Sequence, residues 1–585
     1  MRRCAELSIA VLLLSCCTLR ADSEAQNPSD VSRVKSWVEW LADDARQGRG
    51  IGTQGLAEAE SWLAERFLEL GLEPAGQDGY FQAFDVPVAI EVGQGTSLSL
   101  DDESVADDDY VVAAFSSSGT IEAEVVPVGY GISANDLSHD DYESVDVAGK
   151  IVAVRRFVPA GARFEDEANQ RRYGDLRYKA FNAREHGAAG VLIVDLPELA
   201  ASEEMPDEAK LPSLKVDADG DAGLPVMVMR REVGRKLFAE GGDTLRARLQ
   251  TEVEVRAVET RNVIGRLVAD EAIRKEGAIL IGAHFDHLGM GGSGSLEPDV
   301  EAPHNGADDN ASGTAGLLEI ARELTSRREQ LRRDVWIVAF SGEESGLVGS
   351  THFTRAPTAG LELTNLLAMF NLDMVGRLED DRFSVLGGDS AEEWDDLVPE
   401  LCDQAALHCE LGGDGYGPSD QTPFYAAGVP VLHFFTGAHE DYHRTTDDAH
   451  KLDYEGIDRI AGVVTELTLD VASRAEPLTY VQAEAPVSGG DMRSFGASLG
   501  TIPDYVGDDR PGVLLAGARP GSAAEKAGIQ RGDLLVALGE REIRNIYDFV
   551  YILRSAKPGD ATTAVVMRGE ERLELPITYD QGRGR

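Results

Sequence analysis

Four apolar runs of this chain end in side chains that can hold a metal or move a proton. The run 278–283 ends at His284, and the run 335–340 opens into Ser341-Gly342-Glu343-Glu344. The run 366–372 ends at Asp373, and the run 431–435 leads through a short loop to His443. Between the first two lies Gly306-Ala307-Asp308-Asp309-Asn310-Ala311-Ser312-Gly313. It opens a helix expected over 314–328, where a carboxylate can sit over the helix N-terminus. Imidazole nitrogen and carboxylate oxygen suit zinc, and two of each around a shared carboxylate suit a pair of zinc ions. Two such ions can activate water and polarise a carbonyl together, which spares one carboxylate to act as general base. Glu343 and Glu344 are adjacent, so in extended chain they point to opposite sides. One can ligate while its neighbour faces the water. Taken singly, each group has a blander reading: a histidine usually packs, a Glu pair usually faces solvent, and Asp-Asp-Asn usually caps a turn. All of them at strand or helix ends on one edge read as a metal site.

Those groups need a scaffold that brings the strand ends together. From 261 to 473 the pattern alternates strand and helix, which predicts an α/β unit with a mainly parallel sheet. In such sheets ligands bind in the crevice beyond the carboxyl ends of the strands. Upstream, apolar residues at helical spacing predict helices over 31–45 and 56–72. Between 101 and 254 the texture changes to short strands and turns, with one helix over 178–186 and no cluster of ligands. A Gly/Pro-containing linker is expected over 476–495, followed by short strands and a helix over 546–555. At 585 residues the chain is long enough for three or four such units.

With 43% hydrophobic and 27% charged residues the chain reads as soluble and globular. Its formal net charge of −48 repels phosphate backbones and excludes nucleic acid as a partner. Arg2 and Arg3 followed by the apolar run 7–14 predict an export signal over 1–21, too short to span a membrane. That run ends Leu13-Leu14-Ser15-Cys16, which resembles the lipobox of bacterial lipoproteins. The alternatives are acylation of Cys16, the only membrane attachment expected, or ordinary cleavage after Ala21. Exported, the protein would be periplasmic, secreted or lipid-anchored. Cys4, Cys16 and Cys17 lie in the signal region, leaving Cys402 and Cys409. One helix through both would hold them about 10 Å apart, beyond disulfide reach, whereas a helix ending near Leu407 would allow a bridge.

Several segments resemble known families. The stretches "AHFDH", "GADDNASG", "SGEESGLVGS", "NLDMVGR" and "YHRTTDDAHKLD" occur in order and resemble the two-zinc aminopeptidases of metallopeptidase clan MH, the bacterial leucyl aminopeptidase or aminopeptidase Y type. The resemblance implies two Zn2+ per chain, with His284 and Asp373 on one and Glu344 and His443 on the other. Asp308 would bridge both, Glu343 would be the general base, and Asp286 would orient His284 from behind. Asp309 would stand beside the metals without ligating, after a non-proline cis peptide at Asp308–Asp309. Tyr416, three residues before Ser419, would steady the substrate carbonyl; Gln421 replaces a histidine common in relatives. His287, His304, His433, His439 and His450 are read as packing or supporting residues. "GKIVAVRR" and "KAFNAREHGAAGVLIVD" resemble a protease-associated domain, implying a module without catalytic residues that shapes substrate access. "PGSAAEKAGIQRGDLLVALGEREI" resembles a PDZ domain. There Leu499, Gly500, Thr501 and Ile502 would cap a peptide's C-terminal carboxylate, with Thr501 departing from the usual apolar residue.

The expected architecture is therefore a mixed, mainly parallel sheet flanked by helices, of the zinc exopeptidase type, with two further modules. The expected division is 1–21 signal, 27–100 first part of the peptidase, and 101–256 inserted protease-associated domain. The catalytic part would follow at 257–475, the linker at 476–495 and the PDZ domain at 496–580. The expected substrate is a peptide with a free N-terminus. An acidic loop at 288–305, carrying Glu297, Asp299 and Glu301, would favour its ammonium group. The rivals are a carboxypeptidase or other hydrolase of the same clan, and a non-catalytic peptide-binding protein. A carboxypeptidase needs arginines for a terminal carboxylate, and near the motifs only Arg377 and Arg444 offer themselves.

Overall fold

Continuous apolar strands form the centre of the molecule because both of their faces are covered. The computed structural model describes residues 30–134, 137–198, 205–214, 221–239, 245–292, 294–482, 497–503, 510–518 and 521–581. The expected signal, with its cysteines, and most of the expected linker lie outside the described residues. Ala278–His284, Asp334–Phe340 and Leu366–Leu372 are buried along their whole length, and Val431–Phe435 over its first four residues. They run parallel in the order 334, 278, 366, 431, the arrangement in which near-continuous Val/Ile/Leu runs belong. Antiparallel strands extend both sides: Val253–Leu267 pairs with Asp334–Phe340, and Arg382–Leu386 pairs with Val431–Phe435. Helices Asp30–Leu41, Gly313–Ser326 and Tyr454–Ser473 cover one face, with Val34, Val38, Leu317, Ile320, Ile460 and Val464 in a shared core.

The inserted unit leaves and rejoins this sheet through one long ladder. Phe81–Val92 and Val253–Leu267 pair antiparallel from Phe81↔Val263 to Val92↔Val253, with an irregularity at Arg256/Ala257. Beyond this stalk, eight strands between Ser97 and Thr251 form a separate sheet. One face packs around Leu98, Leu192 and Met227, the other around Val152, Ile193 and Val226.

The C-terminal unit forms a sheet from strands such as Thr501–Pro503, Val513–Ala518, Asp533–Leu538 and Ala561–Arg568, with helix Ile546–Ser555. It does not hang free. Tyr551 of its helix meets the rings of Tyr178 and Phe181 on helix Leu176–Glu185 of the insert, at 5.3 and 4.9 Å between centroids. Around these rings Arg184 pairs with Asp548 at 2.7 Å, Arg541 with Glu185 at 2.5 Å, and Arg544 with Asp221 at 3.0 Å. A single apolar cluster therefore spans both units.

Two local outcomes follow from where chain segments stop. The helix Trp394–Gln404 ends before Leu407, the chain turns back, and Cys402 and Cys409 form a disulfide with Cα atoms 6.0 Å apart. The start of the expected linker is docked on the unit of the central sheet. Leu478 is buried, Tyr480 donates to the carbonyl of Tyr425 and Val481 to that of Ser390. Apolar Leu478 and Tyr480 give this stretch a reason to stick.

Candidate metal centre

The four strand ends deliver their side chains to one crevice, and the loop before helix Gly313–Ser326 reaches into it. Gly306 makes the approach possible. Its φ is +53, and a Cβ there would lie 2.1 Å from the Asp309 carbonyl oxygen and 2.5 Å from the His287 ring. The chain then passes Asp308 and Asp309, both buried, and Asn310 locks the turn by accepting from Gly313 N and Met374 N.

Two histidines face this loop in the same manner. His284 points Nδ1 at the Asp286 backbone carbonyl, 3.2 Å away. Its Nε2 faces Asp373 Oδ1 at 3.2 Å and Asp309 Oδ1 at 3.4 Å. His443 points Nδ1 at the Gly294 carbonyl, 2.8 Å away, and its Nε2 lies 3.3 Å from both Asp309 Oδ2 and Glu344 Oε2. A carbonyl that accepts from Nδ1–H turns Nε2 toward the carboxylate oxygens. A ring nitrogen facing two carboxylates calls for positive charge between them, a proton or a metal ion, and this donor set suits divalent metals.

The geometry differs from the sequence expectation at the shared carboxylate. Asp309, not Asp308, stands between the two histidines, one oxygen toward each. Asp308 turns the other way: its Oδ1 accepts from Gly376 N at 2.7 Å and its Oδ2 lies 3.1 Å from His439 Nε2. Asp447 Oδ2 accepts from the backbone N–H of both residues and so fixes which side chain faces which way. The cis peptide correspondingly falls at Asp309–Asn310, one residue later than expected. His287 also takes part more directly than a packing residue, because its Nδ1 lies 2.6 Å from Glu344 Oε1. The residues group as His284, Asp309 and Asp373, and as His287, Asp309 and Glu344, with the histidines and Asp309 buried, Asp373 and Glu344 partly so, and the ligand atoms of each set within 4.8 Å of one another.

The surroundings hold these groups in place. Asp373 Oδ2 accepts from Ser419 Oγ at 2.7 Å, and Ser419 from Asn371 Nδ2. Asp286 Oδ1 lies 3.8 Å from His284 Nδ1 and accepts from Glu343 N, placing it against both. Burial, followed by neighbouring carboxylates, pushes the Glu343 carboxyl well above its ordinary range, despite His284. Burial opposes charge on His443, yet Asp309 and Glu344 lift it to about 9, whereas burial pulls His287 down to about 4. His443 has φ +54, in the left-handed region that a non-glycine residue occupies only when held there.

Two residues at this site, and the role of a third, escaped the sequence reading. Arg49 is fully buried, and its guanidinium donates to the carbonyls of Leu41, Phe285, Asn305 and Gly306. It thereby ties the first helix to both ligand-bearing loops, and burial lowers it to about 10. Tyr442 stacks on His443 at 3.8 Å. Burial, followed by the Asp309, Glu344 and Glu343 carboxylates, keeps its hydroxyl protonated; adjacency to His443 was the available signal. Asp309 as the shared carboxylate is the third. Tyr416 sits edge-on to Tyr425 at 4.8 Å, with its backbone N–H on Asp414.

Residues 262–468 match the model of peptidase family M28, residues 121–237 that of the PA domain, and residues 515–568 that of the PDZ domain. Aminopeptidase YwaD of Bacillus subtilis (strain 168) is 26% identical over 486 residues, covering 81% of this chain and 91% of its own length. The probable lipoprotein aminopeptidase LpqL of Mycobacterium tuberculosis (strain ATCC 25618 / H37Rv) is 25% identical over 314 residues, 52% of this chain and 54% of its own. Among solved structures, an aminopeptidase from Aneurinibacillus sp. strain AM-1 aligns with a TM-score of 0.46 at 21% identity, over 78% of this chain and 97% of that one.

Proposed function

We propose, from the premise that this chain is a family M28 metallopeptidase carrying an inserted PA domain and a C-terminal PDZ domain, that it is an exported aminopeptidase using two zinc ions. The observation that carries the reading is the pair of histidines whose Nε2 atoms each face one oxygen of Asp309 and one further carboxylate. His284 and Asp373 would hold one zinc, His443 and Glu344 the other, and Asp309 both. His287 would orient Glu344 through its 2.6 Å contact. When bound, zinc polarises the scissile carbonyl and eases deprotonation of water. Glu343, held by its backbone N–H on Asp286, takes the proton from the attacking water and passes it to the leaving amine. A tyrosine hydroxyl, that of Tyr416 or Tyr442, would donate to the carbonyl oxygen as negative charge develops.

The choice of aminopeptidase over carboxypeptidase draws support from the arginines. Arg377 is committed to Asp441 and Asp447 at 3.1 and 3.3 Å, and Arg444 lies 3.7 Å from Glu297. Arg377 is thereby engaged, and Arg444 already faces a carboxylate. A leucyl peptide should be cleaved far faster than its N-acetylated form at equal concentration, read as kcat/KM. Equal cleavage of both, or trimming from the C-terminal end, would overturn the aminopeptidase reading and leave the metallohydrolase intact.

The PDZ unit would bind a peptide C-terminus. Thr501–Pro503 ends its sheet as an edge strand, and Gly500, at φ +72, turns the chain into it beside buried Leu499. Export fits the Cys402–Cys409 disulfide, since such bonds persist in oxidising compartments. If Cys16 is the acylated residue, Cys16→Ser should move the protein from the membrane to the soluble fraction. Mass spectrometry showing an unmodified chain beginning near Asp22 would exclude the anchor.

A further inference from the structure

We propose that Glu297 is a positioning residue for His443, a role distinct from attracting the substrate's ammonium group. The inference rests on the reading of His443 as a zinc ligand. Glu297 Oε2 accepts from both the backbone N–H and the hydroxyl of Thr445, each at 3.0 Å. Its Oε1 lies 3.7 Å from Arg444 Nη1. One residue back, Leu296 N donates to the His443 carbonyl at 3.0 Å, and two residues further back the Gly294 carbonyl accepts from His443 Nδ1 at 2.8 Å. The segment 294–297 thus grips 443–445 at the backbone, the ring and the following residue. This grip holds His443 at its left-handed φ with Nε2 turned to Asp309 and Glu344.

The loop's own shape is fixed in turn. Glu297 N donates to Ser295 Oγ at 2.8 Å. The Ser295 hydroxyl is 2.7 Å from His304 Nε2, and His304 N donates to the Gly289 carbonyl. Glu297 is therefore bonded at both its backbone and its carboxylate, whereas Asp299 and Glu301 remain exposed. Its charge is spent on Thr445 and Arg444. What it contributes is acceptor geometry, and that property survives in glutamine.

The test uses the full chain, stripped with chelator and titrated with zinc alone against a competing zinc dye, with kcat and KM read on a leucyl reporter. Glu297→Ala should weaken one of two zinc sites by about 10–100-fold, the usual cost of removing an outer hydrogen-bond partner of a metal ligand. Glu297→Gln, which keeps an oxygen for Thr445, should restore most of that affinity. Thr445→Val should lose less than Glu297→Ala in the same direction, and it serves if Glu297→Ala does not fold. Equal rises in KM for Glu297→Ala and Glu297→Gln, with zinc affinity as in the parent, would overturn the proposal in favour of charge attraction. His443→Ala separates the two levels. If it binds both zinc ions as the parent does, the ligand reading itself fails; if it loses one while Glu297→Ala loses none, only the positioning role fails.

Discussion

Glu343→Ala should lower kcat by about 10²–10⁴-fold, or about 3–5 kcal/mol of transition-state stabilisation, while the protein keeps its zinc. The expectation comes from the division of labour between neighbours. Glu344 faces His443 and His287, inside the ligand set, whereas Glu343 is held by its own backbone N–H on Asp286. A residue that moves a proton without touching the metal affects turnover and leaves metal content alone. Zinc analysis of the purified variant beside its kcat makes the check. If Glu343→Ala loses metal and Glu344→Ala retains it, the two roles are exchanged.

The second large effect is expected at Asp309. Its two oxygens serve both histidine sites, so Asp309→Ala should strip both zinc ions and abolish hydrolysis, where loss of a one-site ligand should spare the other ion. Asp308→Ala should behave differently. Its carboxylate bonds Gly376 N and lies beside His439, so the variant should lose thermal stability while still binding zinc. A buried hydrogen bond to an ionised group is worth roughly 1.5–3 kcal/mol. Zinc stoichiometry and a melting curve on both variants decide the matter. Metal lost from Asp308→Ala and kept by Asp309→Ala would return the bridging role to Asp308.

That pair marks where sequence reading reaches its limit. The groups His284, Glu343, Glu344, Asp373 and His443 were legible because each follows a long apolar run, and parallel strands put their carboxyl ends on one edge. Asp308 and Asp309 lie in a turn whose backbone bonds to Asp447, 138 and 139 residues downstream, decide which carboxylate faces inward. No local pattern encodes that choice. Arg49 was illegible for a similar reason: its four acceptors are backbone carbonyls, and three of them lie 236 to 257 residues away. The disulfide turned on whether a helix stopped at Gln404, and helix ends are the least certain feature of a sequence reading.

The aromatic contact between the insert and the C-terminal unit changes what counts as a unit of folding. Tyr551 and Asp175 are 376 residues apart, yet their neighbourhood forms one apolar cluster. By sequence there are three modules, one inserted in another; by shared core there are two bodies, the peptidase in one and the insert with the C-terminal unit in the other. Cooperativity follows buried surface and not module borders. Removing the last module would bare the rings of Tyr178 and Phe181 on the insert, and the chain would then carry a sticky aromatic face that the intact molecule covers.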